Sequence, residues 1–351
     1  MRLHRVVGTL VLLLAIAPSL LGIGRATAAT APAAPARQGV VFGPPAEGAK
    51  ATLWGETSID GPALWAGTGT APKAILAWTG TDPLHRLNYM TSSDGLHYTN
   101  KHILGETSRW RPAVVFNASM RGEPYGTIIL AWTGTDEQHT LNVEYISTPD
   151  NQLVKKFTFW GETSFTAPAV TVLNDTTYLA WAGDDANHSL NVLPISRTLE
   201  VGTKVTLWQW GSISRPDLSY DFATNAFSFA WTGSNNRLSF AQSPLDITHW
   251  SMPTTSPLGE LSAWAPSMVG RQVTNMPAHW LAWTGAARHL NVQYTESYPN
   301  WTDVGSKTTL DEPAIAGPEL AYAGVNRQVL VSWTGTDDAH TLNVAVISVN
   351  S

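Results

Sequence analysis

Carboxylates and imidazoles return together through this sequence at corresponding places. Glu56, Glu106, Glu162 and Glu260 each stand in a Gly-Glu turn followed by Ser, and a shortened version carries Glu312. Asp82, Asp136, Asp184 and Asp337 occupy a second turn, followed three or four residues on by His85, His139, His188 and His340, with His289 in a fifth copy. Such groups can transfer protons, hold a metal or hydrogen-bond the hydroxyls of a sugar. Asp followed closely by His in a tight turn does not specify a metal site, and neither a metal nor an organic cofactor is expected. Turn chemistry accounts for any single copy, because Asp, Ser and Thr cap backbone N–H groups. Two tryptophans stand apart: Trp110 and Trp264 lie two residues before Pro112 and Pro266, where they can stack on a ligand. Arg111 and Arg215 lie one residue before Pro112 and Pro216 and bring positive charge to the same turns.

The elements that must position these groups are themselves repeats. The run Ala131 to Val143, AWTGTDEQHTLNV, has five relatives, marked by Trp78, Trp132, Trp181, Trp231, Trp283 and Trp333, at steps of 54, 49, 50, 52 and 50 residues. A period near fifty signals a repeat architecture. Within it, four short runs rich in β-branched and aromatic residues alternate with Gly, Asn, Asp and Pro turns. In the second copy they are Pro112 to Phe116, Thr127 to Gly134, Thr140 to Ser147 and Lys155 to Trp160. No stretch after residue 30 keeps a helical period. The sequence therefore predicts an all-β, six-bladed β-propeller with four strands per blade. The last copy ends after its third strand, while Lys50 to Trp54 repeats the fourth-strand run, so the N-terminal segment is expected to complete blade 6 and remove an open edge. Up-and-down strands place the blade-joining turns and the second hairpins on one face, crowned with the residues named above. The hairpins of blades 4 and 5 are two residues shorter, which opens a cleft on that side.

Composition narrows the function. Charged residues are 14% against 16 tryptophans in 351 residues, which excludes a disordered chain. A net charge of −6 without a basic run disfavours nucleic acid and anionic lipid. The absence of cysteine removes disulfides, thiol catalysis and thiolate metal sites. Residues 1–28, with Arg2 and Arg5, an apolar run and Ala26-Thr27-Ala28, read as a secretory signal peptide of bacterial look. Residues 29–39 read as an Ala/Pro-rich spacer and 40–351 as the propeller. The mature protein is expected to be an extracellular monomer, free of the membrane after cleavage. The sequons at Asn117, Asn174, Asn187 and Asn300 are then expected to be unmodified.

The pattern of a secreted six-bladed propeller resembles the sialidase superfamily and its bacterial Asp-box relatives. Ser92 to Tyr98, SSDGLHY, is similar to an Asp-box between strands three and four of blade 1, and Ser243 to Trp250 echoes it in blade 4. The resemblance implies an Arg two residues before the Pro that opens a first strand, two further Arg, a Tyr paired with Glu, and an acidic Asp. Here the residues two before Pro are Asp60, Trp110, Thr166, Ser214, Trp264 and Asp311, none of them Arg. Arg111 and Arg215 are displaced by one residue, which aims them differently in a strand. Arg109, Arg237 and Arg288 lie in turns of the same face, and Tyr220 and Tyr322 are the tyrosines to test as nucleophiles. Three functions stay open: a binding module for a glycan, a sialidase-like glycoside hydrolase with catalytic residues unknown, and a scaffold for an extracellular protein. The repetition favours binding, since like sites on several blades gain by avidity.

Overall fold

The computed structural model describes residues 46–348 except 68–71, 119–125, 149, 223, 245, 256–258, 271–278, 296–306 and 324–327. The leader 1–28, the spacer 29–39 and Asn300 lie outside the described residues. All regular structure among the described residues is β. An opening strand β1 (Ala46–Thr57) is followed by blade 1, β2–β5 (Ala63–Ala66, Ala74–Thr79, Arg86–Ser92, Tyr98–Thr107), and blade 2, β6–β9 (Ala113–Asn117, Thr127–Thr133, Thr140–Ser147, Leu153–Thr163). Blade 3 is β10–β13 (Ala169–Leu173, Thr176–Ala182, Ser189–Ile195, Val205–Gly211) and blade 4 is β14–β17 (Asp217–Asp221, Ala226–Thr232, Leu238–Pro244, Thr254–Thr255). Blade 5 is β18–β21 (Ser267–Gly270, His279–Thr284, His289–Thr295, Lys307–Pro313), and β22–β24 (Glu319–Tyr322, Val329–Thr334, Thr341–Ser348) begin blade 6. Each blade is an antiparallel four-stranded sheet, and the sixth has the order β1-β24-β23-β22. The N-terminal strand thus closes the ring, with Ala51 opposite Val344 and Leu53 opposite Leu342.

The AWT runs are continuously apolar because second strands are covered on both faces by neighbouring blades. Every residue of β3, β7, β15, β19 and β23 is buried. The repeated tryptophans are 0 to 3% exposed. They form the core as the sequence predicts, each burying roughly 150–250 Å².

The repeated polar residues tie strand to strand and blade to blade. The Asn of each Leu-Asn-Val run donates to a carbonyl two residues back and accepts a fourth-strand Thr hydroxyl, as in Asn142 to Thr140 (2.9 Å) and Thr158 to Asn142 (2.8 Å). The Thr of AWT donates to the next blade's opening turn, as Thr79 does to the Trp110 carbonyl (2.6 Å) and Thr133 to the Thr166 carbonyl (2.7 Å). Glu56, Glu162 and Glu260 pair with Lys101, Lys204 and Lys307 of the following blade at 2.5, 2.6 and 2.5 Å; Glu106 with Lys156 and Glu312 with Lys50 do the same. Each of these lysines also lies over its own blade's AWT tryptophan, 5.0 to 5.9 Å from the ring centre. At the remaining junction Trp210 stands where the Glu would be and stacks on Trp231, centroids 5.4 Å apart.

Two positions correct the sequence reading. The first strand of blade 6 opens after Pro318, so the residue two before its proline is Ala316 and not Asp311; Pro313 closes β21 opposite His289. In blade 3 the capping carboxylate is Asp185, which accepts the Asn187 and Ser189 N–H groups. Asp184 is exposed, with a carboxylate oxygen 3.9 Å from His139 Nδ1 of blade 2.

Candidate functional site

The hairpin residues of the crowned face are held first by backbone needs. His85, His139, His188 and His340 have φ of 53, 54, 48 and 57°, the left-handed conformation that ends the turn. Each donates its N–H to the hairpin aspartate carbonyl and accepts the N–H of the next turn's Ser, as in His139 to Asp136 (3.1 Å) and Ser164 to His139 (3.1 Å). Asn236 and Arg288 take this place in the shorter hairpins. The side chains then lean on the blade-opening turns: Trp110 meets His139 edge-on at 5.1 Å, Phe165 stacks on His188 at 3.8 Å, and Trp264 carries Arg288 at 5.9 Å.

Asp82, Asp136 and Asp337, with Asp185, cap those hairpins. Burial opposes their ionisation, but N–H and hydroxyl bonds outweigh it and hold all four below the ordinary carboxylate value. A pKa lowered in the folded state adds stability that is present above the ordinary value of about 3.9 and lost as pH falls through the lowered one. The melting temperature should therefore hold between about pH 7 and 5 and fall below about pH 4. The variant D82N/D136N/D185N/D337N should show a shallower acid descent; an identical descent in calorimetry would remove this account.

At the axis of the same face, six residues that precede the opening prolines of the first strands converge: Gly61, Arg111, Ala167, Arg215, Ala265 and Gly317. The two glycines give room, since a Cβ on Gly61 would stand 2.8 Å from Arg111 Nη1 and 2.4 Å from the Gly317 carbonyl. Both guanidiniums turn into the ring and are 2 and 3% exposed. Arg215 grips Glu319 with both terminal nitrogens at 2.8 and 3.0 Å, reaches Asp217 at 3.3 Å, and donates through Nε to the Pro168 carbonyl at 3.0 Å. Arg111 Nη2 pairs with Glu319 as well, and Nη1 donates to the Gly317 carbonyl at 2.9 Å. Burial, then repulsion from Arg215, pushes the Arg111 pKa well down; burial also lowers that of Arg215. Two arginines against two carboxylates make a buried cluster of near-zero net charge across the axis.

Above the cluster lies a depression of about 200 Å³. Trp110, Phe165 and Trp264 stand half-buried around it, with Asp60, Thr166, Ser214 and the arginines among them. Asp60 holds the Arg111 N–H (3.0 Å) and the Gly61 N–H (2.7 Å). This brings together Trp110, Trp264, Arg111 and Arg215 of the sequence-predicted set. Glu56, Glu106, Glu162 and Glu260 sit at the blade junctions, tied to lysines. Asp60, Phe165, Asp217 and Glu319 are additions that the repeat pattern did not single out.

The first strands also line a second cavity, of about 900 Å³, with Trp65, Phe116, Tyr220, Phe222 and Tyr322 in its wall. Both candidate tyrosines belong here and not to the depression. Burial raises both phenols, and the Tyr220 hydroxyl bonds Asn225 at 2.7 Å. The Asp-box-like turns lie between strands three and four: Asp94 accepts the Leu96 and His97 N–H groups, and Asp246 accepts that of Thr248. Hydroxyl and N–H bonds from Thr248, then His249, hold Asp246 down at about 2. No cluster of three or more His, Asp or Glu suited to a metal occurs among the described residues.

No family model and no curated protein matches the chain. Among solved structures it is similar to a protein of unknown function from Dyadobacter fermentans, with 11% identity, TM-score 0.63, and 87% of this chain and 99% of that one covered. It is also similar to the BP39L lectin of Burkholderia pseudomallei (14%, TM-score 0.55, 84% and 98%) and to the Aleuria aurantia lectin in complex with Fucα1-6GlcNAc (9%, TM-score 0.56, 84% and 96%). At these identities the likeness is one of fold. The chain is a six-bladed β-propeller, the architecture that the sequence resemblance implies.

Proposed function

We propose that this chain is a secreted carbohydrate-binding propeller whose site is the axial depression of the crowned face. The observation that carries the reading is the trio Trp110, Phe165 and Trp264 around a small hollow floored by fixed polar groups. Aromatic rings cover the C–H faces of a sugar, while Asp60, Ser214 and Thr166 meet its hydroxyls. Lectins among the similar structures support the class of partner, and a leader at residues 1–28 takes the protein out of the cell. Glycoside hydrolysis calls for a pair of carboxyl groups flanking the bond. Among the described residues lining the depression, Asp60 alone carries one, and Glu319 and Asp217 are engaged by arginine, which favours binding over turnover.

A glycan array with purified residues 29–351 tests this, followed by titration of the best short oligosaccharide. W110A and W264A should each weaken binding by about 1–2 kcal/mol, roughly tenfold, with unchanged melting. Release of product from glycosides by the same sample would replace this reading with the hydrolase.

A further inference from the structure

Almost every residue that recurs in the repeat has a task inside the fold, and one does not. Trp54, Trp160 and Trp208 occupy the same place in the fourth strands of blades 6, 2 and 3 and are 84, 82 and 70% exposed. Each follows the last paired residue before the ladder breaks: Leu53 opposite Leu342, Phe159 opposite Leu141, Leu207 opposite Leu190. The ladder resumes only at Thr57, Thr163 and Gly211, so these strands bulge outward and re-aim a side chain. Blades 1 and 5 have no such tryptophan and shorter bulges: their lysine and glutamate, Lys101 and Glu106 or Lys307 and Glu312, are one residue closer than Lys50 and Glu56. The longer bulge thus occurs where the tryptophan is. Gly55 and Gly161, the next residues, have φ of 91 and 101°, and nothing stands within 4 Å of where their Cβ would be.

An exposed tryptophan adds nothing to the core, and three at one structural position mark a surface used outside the fold. We infer that Trp54, Trp160 and Trp208 are rim subsites for a neutral polysaccharide chain, which engages them in addition to the axial depression. The net charge of −6 and the Glu56–Lys101 and Glu162–Lys204 pairs at the adjoining blade junctions do not suit an anionic polymer or an anionic bilayer. They do suit hydroxyl groups, which can both donate and accept. Stacking at one ring is weak, and several rings on one rigid body convert weak contacts into retention on a polymer. The inference rests on the carbohydrate reading, but it concerns different residues.

The test is retention of residues 29–351 on insoluble cellulose, chitin, β-1,3-glucan and mannan, beside titration with the matching short oligosaccharides. W54A/W160A/W208A should melt as the wild type does, keep its affinity for the short oligosaccharide, and lose at least about tenfold in retention on the polymer. W110A/W264A should lose the short oligosaccharide. If the rim variant is retained as well as the wild type while W110A/W264A is not, the rim inference falls and the axial site stands. If the rim variant alone loses retention and W110A/W264A changes nothing, the axial site falls and the rim stands. No retention of the wild type on any polymer, or rim-dependent binding to phosphatidylcholine vesicles instead, overturns the rim inference.

Discussion

Glu319→Ala should lower the free energy of unfolding by about 3–5 kcal/mol, the cost of leaving buried charge without its partner. Glu319 is the shared acceptor of Arg111 and Arg215, so its loss strands two guanidiniums that are 2 and 3% exposed. Arg111 has little in reserve, because its Nε already lacks an acceptor. Asp217 cannot take over, since its other oxygen is committed to the Met268 N–H at 2.5 Å. The loss should come from the charge and not from the space: replacing the set together, as R111M/R215M/D217N/E319M, should recover most of the stability, because the desolvation cost disappears with the attraction. Denaturant unfolding measures both, read from the midpoint at unchanged m. An E319A midpoint within about 1 kcal/mol of the wild type would mean that water reaches the cluster.

The ring was legible because its signals are repeated, and the axis was not because its signals are departures from the repeat. Tryptophan spacing and the stray fourth-strand run at Lys50 to Trp54 were enough to place six blades and their closure. The residue after each opening proline runs Ala63, Ala113, Ala169, Asp217, Ser267 and Glu319. Read against three alanines, Asp217 and Glu319 stand out, and they are the two residues that neutralise the arginines. That comparison needs the right proline in blade 6, and Pro313 hid Pro318 because Asp-Glu-Pro imitates a shortened turn. The crown follows the repeat, and its glutamates have a structural task that the pattern alone does not show. Each has a lysine 42 to 50 residues on, or for Glu312 at the other end of the chain, that ties adjacent blades together. The exposure of Trp54, Trp160 and Trp208 depends on longer bulges, and their extra length shows in sequence only as one more residue between the lysine and the glutamate, or Trp210 in its place.

Removing β1 should cost the protein its cooperative fold, and restoring the same strand at the other end should return it. Without residues 46–57 the ladder edge of β24 from Thr341 to Ser348 is unpaired, an open strand that invites self-association. The closure also loses the Lys50–Glu312 pair, the Lys50 contact with Trp333 and the Thr52–Asn343 hydrogen bond at 2.8 Å. The truncated chain should therefore aggregate or associate, with no sharp thermal transition. In the other five blades the fourth strand follows the third directly along the chain, so nothing in the pairing requires it to come from the N-terminus. A permuted chain in which residues 46–57 follow Ser351 through a short turn should be monomeric and melt within a few degrees of the wild type. The cost of the rearrangement is one loop closure, and that cost grows only slowly with loop length. Calorimetry and sedimentation on the two variants separate the alternatives. A permuted chain that fails to fold would show that β1 acts as a nucleus from its own end of the chain, and a truncated chain that melts sharply as a monomer would show that five whole blades and three strands are sufficient.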